Sequence, residues 1–449
     1  MYPWVFDYSV GMNESQAIKF QSLTELHSHL YGCISAELLY EMGKKNPAPR
    51  WEIFTKLHSE LYCEEIDHKN FFKTYHTLDL FKELYYFSKK APFLEFQSKF
   101  NLIIALSKFD PEEIKWVTKN VVHEHSLQGV EAAEFRIMYS PIADEKTYFE
   151  KTLAACEGLR QAEEAYGVRG RLVVSLHRDQ GYDNQYTYLK KAMKSHELIQ
   201  KYMVGIDFCN IEEGFPPKEK KLFLQRVLHD NQNDPRSALS ILYHVGESFR
   251  DKTHLSACRW ILQASEFGAH RLGHCIALVE NLDPYMNLEK KELASEYFDT
   301  LEYITNNYSE ISNFGSVINL IEIKKIISSL QPISGQIQVR YTEELLETIE
   351  TFRKYTIHKL IKNNTIIESC PSSNYLIGMI DKLENLPIKK FVETNLKVTI
   401  GADDPGIFHT DLPKEYEICE KIGITNDKLQ KIINETKEFR SEIVSGRES

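Results

Sequence analysis

The chain has 449 residues, 42% hydrophobic and 27% charged, which is enough to bury a large core as one big domain or two ordinary ones. A formal net charge of −11 argues against a general nucleic-acid or anionic-membrane binder, leaving room only for a local basic pocket. Eight cysteines lie scattered at positions 33, 63, 156, 209, 258, 275, 370 and 419 without a C-x-x-C, which predicts free thiols and a reducing, cytoplasmic setting. No apolar run is long enough to span a bilayer, and the first 21 residues lack a basic region followed by an apolar one, so neither a membrane segment nor a signal peptide is expected.

In chain order, residues 1–22 are expected to form a turn and a short helix leading into the first strand. Thr24–Leu30 reads as that strand, and it ends in His27-Ser28-His29. Side chains alternate along a strand, so His27 and His29 point to one side and can grip one metal ion. Ser35 reads as the N-cap of a helix beginning at Ala36, which sets the pair where a strand turns into a helix. Residues 50–130 read as several helices. The stripe Phe71, Phe72, Tyr75, Phe81, Tyr85 and Phe87 is expected to pack rather than form a ligand cage. A second pair, His123 and His125, lies in a helical run where positions i and i+2 diverge, so it is read as structural or exposed.

Seven further strand-like runs follow: Glu131–Pro141, Arg171–Arg178, Met203–Phe208, Ala238–His244, Arg271–His274, Thr365–Pro371 and Lys397–Asp403. Amphipathic stretches such as Lys146–Ala165, Asn184–Lys201 and Lys252–Phe267 separate them. Eight strands with helical connections predict an α/β fold, the (β/α)8 TIM barrel. No Pro-, Gly- or Ser-rich linker divides the chain, so residues 1–449 are taken as one domain. The stretch between the sixth and seventh strands exceeds what one helix needs. Residues 282–345 there are charged and helical in pattern and are read as a helical insertion over one barrel end, whether a passive flap, a lid or an oligomer contact.

The predicted C-terminal strand ends carry His27 and His29, His244 with Glu247, His274, and Asp403 with Asp404. Barrel active sites are built at those ends. Three neutral imidazoles and a carboxylate suit a borderline divalent ion such as Zn2+, or another divalent transition metal, and His27, His29, His244 and Asp403 are the candidate set. An ion so held lowers the pKa of bound water to about 7. Glu247, three residues after a ligand histidine, is placed to give or take a proton, and His274 and Asp404 to hold the water. Each has a plainer reading as well: a helix-start carboxylate, a core histidine, a turn former before Pro405.

Five stretches taken together resemble the ordered motifs of the adenosine deaminase family: Thr24–Ser35 (TELHSHLYGCIS), Tyr243–Glu247 (YHVGE), Arg271–His274 (RLGH), Glu368–Gly378 (ESCPSSNYLIG) and Gly401–Phe408 (GADDPGIF). Glu134–Pro141 (EFRIMYSP) is similar to that family's second strand. The resemblance implies a metal-dependent barrel within the amidohydrolases. It makes His27, His29, His244 and Asp403 zinc ligands, Glu247 the proton donor to purine N1, and His274 and Asp404 the groups that orient and activate water. Oxygen then adds at purine C6 and ammonia leaves. The H-x-E and P-C-x-x-C signature of the polynucleotide-base deaminases is missing, so the implied partner is a small purine nucleoside or nucleotide, with no polynucleotide and no membrane. A homo-oligomer is compatible with the sequence.

The chain departs from the adenosine-specific pattern at two candidate substrate-binding positions. Tyr31 stands where such members carry a sugar-contacting acid, and Asn210 where they carry a purine-contacting glycine. Loss of the carboxylate removes repulsion toward a phosphate. A nucleoside 5′-monophosphate or a modified purine nucleoside is therefore expected. Arg250, His177 and Arg178 are either phosphate contacts or partners of strand-end carboxylates. Two other readings stay open: a barrel hydrolase cleaving another C–N bond, and a retired barrel that only binds a nucleotide or a protein.

Overall fold

Parallel strands buried on both faces read as continuous apolar runs, and the central strands here do. In the computed structural model, which describes residues 20–330, 334–377 and 380–447, β3 (Arg169–Ser175), β4 (Met203–Asp207) and β5 (Ser240–Val245) are buried almost without interruption. With β1 (Leu23–His29), β2 (Val130–Met138), β6 (Arg271–His274), β9 (Ile366–Ser369) and β10 (Lys397–Ile400) they form one eight-stranded sheet in the order β1-β2-β3-β4-β5-β6-β9-β10. The pairs along that order are parallel. A bridge between Ser28 and Asp403 brings the last strand back to the first, through His29 N–H to the Asp403 carbonyl (2.9 Å) and Asp403 N–H to the His27 carbonyl (2.8 Å). The architecture is a (β/α)8 barrel.

The connections are helical. Glu145–Tyr166 starts at the Asp144 cap and stops at Gly167, whose φ of 75° is the left-handed turn glycine takes without strain. Ser35 caps Ala36–Lys45 through the Leu38 N–H (3.4 Å), and this helix and five more fill the long link from β1 to β2. There Phe71, Phe81 and Tyr85 are buried and packed ring against ring, with Tyr75 and Phe72 beside them. His123 lies on the Tyr166 ring, and His125 is buried with Nδ1 on the Val121 carbonyl (2.8 Å). Both histidines therefore serve the packing of their helix. The turn and short helix expected over residues 1–22 fall outside the described residues up to position 19.

Between β6 and β9 the chain adds helices Ala294–Asn306, Tyr308–Ile311 and Leu320–Leu330, and, unforeseen in the sequence, an antiparallel ribbon of β7 (Glu289–Leu293) and β8 (Gln336–Arg340). Helix Glu343–Lys362 then leads into β9. The added segment docks on helix His254–Glu266 through polar groups. Trp260 Nε1 donates to Glu296 (2.9 Å), Ser256 meets Thr300 (2.7 Å), and Arg259 pairs with Glu296. No helix among the described residues is long and apolar enough to cross a membrane.

Candidate active site

The strand ends converge. β1 brings His27 and His29, β5 brings His244, and Asp403 follows β10 by three residues. One ligand atom from each of these four lies within 4.8 Å of all the others. His27 Nε2 and His29 Nε2 stand 3.5 and 3.3 Å from the same Asp403 oxygen. Close approach is built in at Gly273, where a Cβ would sit 2.9 Å from His27 Cε1 and 3.3 Å from His244 Cγ. Asp403 itself holds a φ of 62°, a strained backbone for a residue other than glycine and of a kind that gathers at functional sites.

Each buried imidazole is aimed by its other nitrogen. His27 Nδ1 meets Glu368 Oε2 at 2.7 Å, His244 Nδ1 meets Asp207 at 3.1 Å, and His274 Nδ1 meets Asn374 Oδ1 at 2.9 Å. A carboxylate on Nδ1 keeps the proton there and leaves the Nε2 lone pair free. The Nε2 atoms of all three histidines are buried without a hydrogen-bond partner in the structure. Such orphaned acceptors, facing a carboxylate, are what a divalent cation requires. Burial, aided by Arg136, pushes the His27 pKa down despite Glu368, and burial pushes His244 far down despite Asp207, so both stay neutral as ligands must be. Burial opposes ionisation of Asp403, but the surrounding histidines outweigh it and hold the carboxyl well below its ordinary range.

The other candidates lie alongside. His274 Nε2 is 3.7 Å from Glu247 Oε1 and 4.0 Å from Asp403 Oδ2. Glu247 is lifted in pKa mainly by burial, with His274 pulling the other way, which favours a protonated carboxylic acid. Asp404 is raised far more, by burial and by the Asp403 charge. Its buried Oδ1 fits only because residue 32 is glycine, where a Cβ would come within 1.6 Å.

The substrate-side candidates are placed differently. Tyr31 is buried, stacked on Phe109 (4.2 Å between centroids), with its hydroxyl directed to Glu113 (3.3 Å). Asn210 follows β4 with a φ of 71°, in the region glycine and asparagine share, and its Oδ1 accepts from the Ile211 N–H (2.7 Å). Arg178 is buried and spends its guanidinium on the carbonyls of Phe208, Cys209 and His244. His177 Nε2 meets the Tyr139 carbonyl (2.9 Å), and Arg250, half-exposed, pairs with Glu213 (3.1 Å). Sequence reasoning passed over Glu368, Asp207 and Asn374, which aim the imidazoles, and Arg136, which holds the two carboxylates. The signal of the three charged residues was present, as charges in otherwise apolar strands, whereas Asn374 is a neutral residue on the short helix Pro371–Leu376 after β9.

A sequence profile of the adenosine deaminase family matches residues 22–315 and 349–439. The chain is 23% identical over 403 residues to an adenosine deaminase of Clostridium perfringens (strain SM101 / Type A), covering 88% of this chain and 86% of that protein. Among solved structures it superposes on the N6-methyl-AMP deaminase of Arabidopsis thaliana with a TM-score of 0.58 at 17% identity, over 96% of each chain. It also superposes on the adenine deaminase of Arthrobacter aurescens with a TM-score of 0.52 at 14% identity, over 94% of this chain and 99% of that one. At these identities the structural likenesses speak for the fold.

Proposed function

Because the chain belongs to the adenosine deaminase family, and is thereby a hydrolytic deaminase acting on purines, we propose that it uses zinc to replace the 6-amino group of an adenine-type nucleoside 5′-monophosphate, or of a modified purine nucleoside, with oxygen. The observation that carries this is the four-donor cluster with its orphaned imidazole nitrogens. His27, His29, His244 and Asp403 would hold the ion. Bound there, it supplies a Lewis acid that brings the pKa of water to about 7. Three imidazoles and one carboxylate suit zinc among the divalent metals.

The chain's own groups divide the proton work. Glu247, whose pKa burial raises, donates to purine N1 as the C6–O bond forms. His274, aimed by Asn374, and Asp404 hold the attacking water and take its proton; a divalent cation held beside Asp404 would offset the burial and the Asp403 charge that otherwise raise its pKa. The proton so taken goes to the departing amine, and the second proton of the water is lost as the C6=O bond forms and returns to Glu247, so a purine amine and water become a purine with oxygen at C6 and ammonia. A retired barrel would lack a ligand or an acid, and all of these are present and converge.

The monophosphate reading rests on position 31. Tyr31 carries no charge there and turns its hydroxyl to Glu113, so no carboxylate of its own repels a phosphate. With Arg178 and His177 committed to carbonyls, Arg250 is the remaining candidate phosphate contact. The N6-methyl-AMP deaminase among the structural relatives supports the same class. Free cysteines support a reducing, cytoplasmic setting. Ammonia release from adenine, adenosine, deoxyadenosine, AMP and N6-methyl-AMP tests the reading. AMP or its N6-methyl form is expected to lead, and much faster turnover of unphosphorylated adenosine would overturn the phosphate assignment. Glu247→Gln is expected to lose roughly 10²–10⁴-fold in turnover with the ion retained. Unchanged turnover would remove Glu247 from the mechanism.

A further inference from the structure

The donors around His27 and Asp403 can be completed in two ways. Besides the set with His29 and His244, a second set of His27, His274, Cys370 and Asp403 also brings one ligand atom from each member within 4.8 Å of the rest. Cys370 directly follows β9, beside Glu368, which aims His27. All four members are buried, Cys370 and His274 at 1% exposure. His27 and His274 each offer a buried Nε2 with no hydrogen-bond partner in the structure, their Nδ1 atoms being held by Glu368 and Asn374. A tetrahedral zinc ion, with bonds of about 2.0–2.3 Å, keeps its ligands roughly 3.3–3.8 Å apart, and a larger thiophilic ion keeps them farther apart, so a small closure of either set suffices.

We propose that Cys370 gives this centre a second, thiolate-containing ion position, and that a thiophilic divalent ion such as Cd2+ is held by His27, His274, Cys370 and Asp403 rather than by the set with His29 and His244. The two positions share His27 and Asp403, so they exclude one another and the chain binds one ion at a time. Soft ions favour sulfur, while borderline ions accept three imidazoles and an oxygen. On binding, the Cys370 Sγ–H bond breaks, the proton leaves to solvent, and the thiolate pair forms the bond to the ion, with no change of oxidation state. His274 becomes a ligand and can no longer hold a water. Only this last consequence rests on the function proposed above.

Metal-free protein titrated with Cd2+ and read by the ultraviolet thiolate-to-cadmium charge-transfer band tests the proposal. A Cys63→Ser background removes the exposed thiol. One ion per chain is expected with a one-thiolate band and no ammonia release. In Cys370→Ala the ion still binds, the band is lost, and the cadmium form releases ammonia. In His29→Ala, which breaks only the other set, the band persists at unchanged Cd2+ affinity. Stoichiometric Cd2+ without a band, a band surviving in Cys370→Ala, or its loss in His29→Ala would each overturn the proposal. The His29→Ala arm decides alone if Cys370→Ala does not fold. A zinc-loaded parent protein that releases no ammonia would fault the functional reading and leave the band result untouched.

Discussion

One side chain, Arg136, holds two halves of the site at once. Its guanidinium reaches Glu368 Oε2 at 2.5 Å and Asp207 Oδ2 at 3.3 Å, and those carboxylates aim His27 and His244. Burial would raise both carboxyl pKa values, yet Arg136 helps hold them far below the usual range. Arg271 adds a second contact on Glu368 Oε1 (2.8 Å). Removing one partner from a buried ion pair costs about 3–5 kcal/mol, and loss of an outer partner of a ligand costs about 10–100-fold in metal affinity. Arg136→Met is therefore expected to release the ion to a chelator at least tenfold more readily, with the substrate KM of the ion-saturated protein little changed. Arg136→Lys restores charge without the two-pronged fork and should recover only part. Equal ion retention in Arg136→Met and the parent would show that the imidazoles need no such brace. The contrast with His27, His29, His244 and Asp403 shows what a sequence displays. Donors at strand ends stand out by type and place, whereas Arg136, Glu368 and Asp207 matter through one another, and their pairing across β2, β9 and β4 is visible only once the barrel is closed.

At the scale of elements, the strands were legible because burial on both faces writes Val, Ile and Leu in unbroken runs, as in Leu172–Val174. The ribbon was not, because Glu289–Leu293 is largely exposed and carries charges where a strand pattern would show apolar residues, while Gln336–Arg340, whose Ile337 and Val339 do alternate with polar residues, is only five residues long inside a stretch read as helical. Its one fully buried acid, Glu292, accepts from the Thr253 N–H at the start of helix His254–Glu266 (3.1 Å), and so fastens ribbon to barrel. Burial lifts its pKa from the ordinary 4.5 to about 7, with Ser256 and Thr253 pulling it back. Between those values the folded chain binds more protons than the unfolded one, so this group's contribution falls as pH rises from 4.5 to 7 and is level above. The span corresponds to about 3 kcal/mol as an order of magnitude. Glu292→Gln keeps an acceptor for Thr253 and has no such titration. Urea unfolding at pH 5 and pH 8 should show the parent losing more stability across the interval than the variant. The same loss in both would mean that the ribbon site does not carry the penalty.

Across the whole molecule the candidate ligands sit where the barrel is least knitted. β2 and β3 pair without a break from Ala132 with Arg169 to Met138 with Ser175, whereas β1 meets β10 through the isolated Ser28–Asp403 bridge. The four donors come from β1, β5 and the residues after β10, so an ion among them ties the seam shut and braces it against β5. Ion binding should therefore stabilise the seam more than the rest of the barrel, since a ligand at a hundredfold its Kd adds about 2.7 kcal/mol to the state that binds it. Chelation is expected to speed amide exchange first at His29 and Asp403, whose N–H groups make the closing bonds, while Leu172, Val173 and Val174 keep their protection. Exchange followed residue by residue, with and without a chelator, checks this. If all of these amides sped up together, the ion would be holding the fold as a whole. If none did, the β1–β10 seam would be closed by the chain alone, and convergence of the strand ends would serve the reaction without serving the barrel.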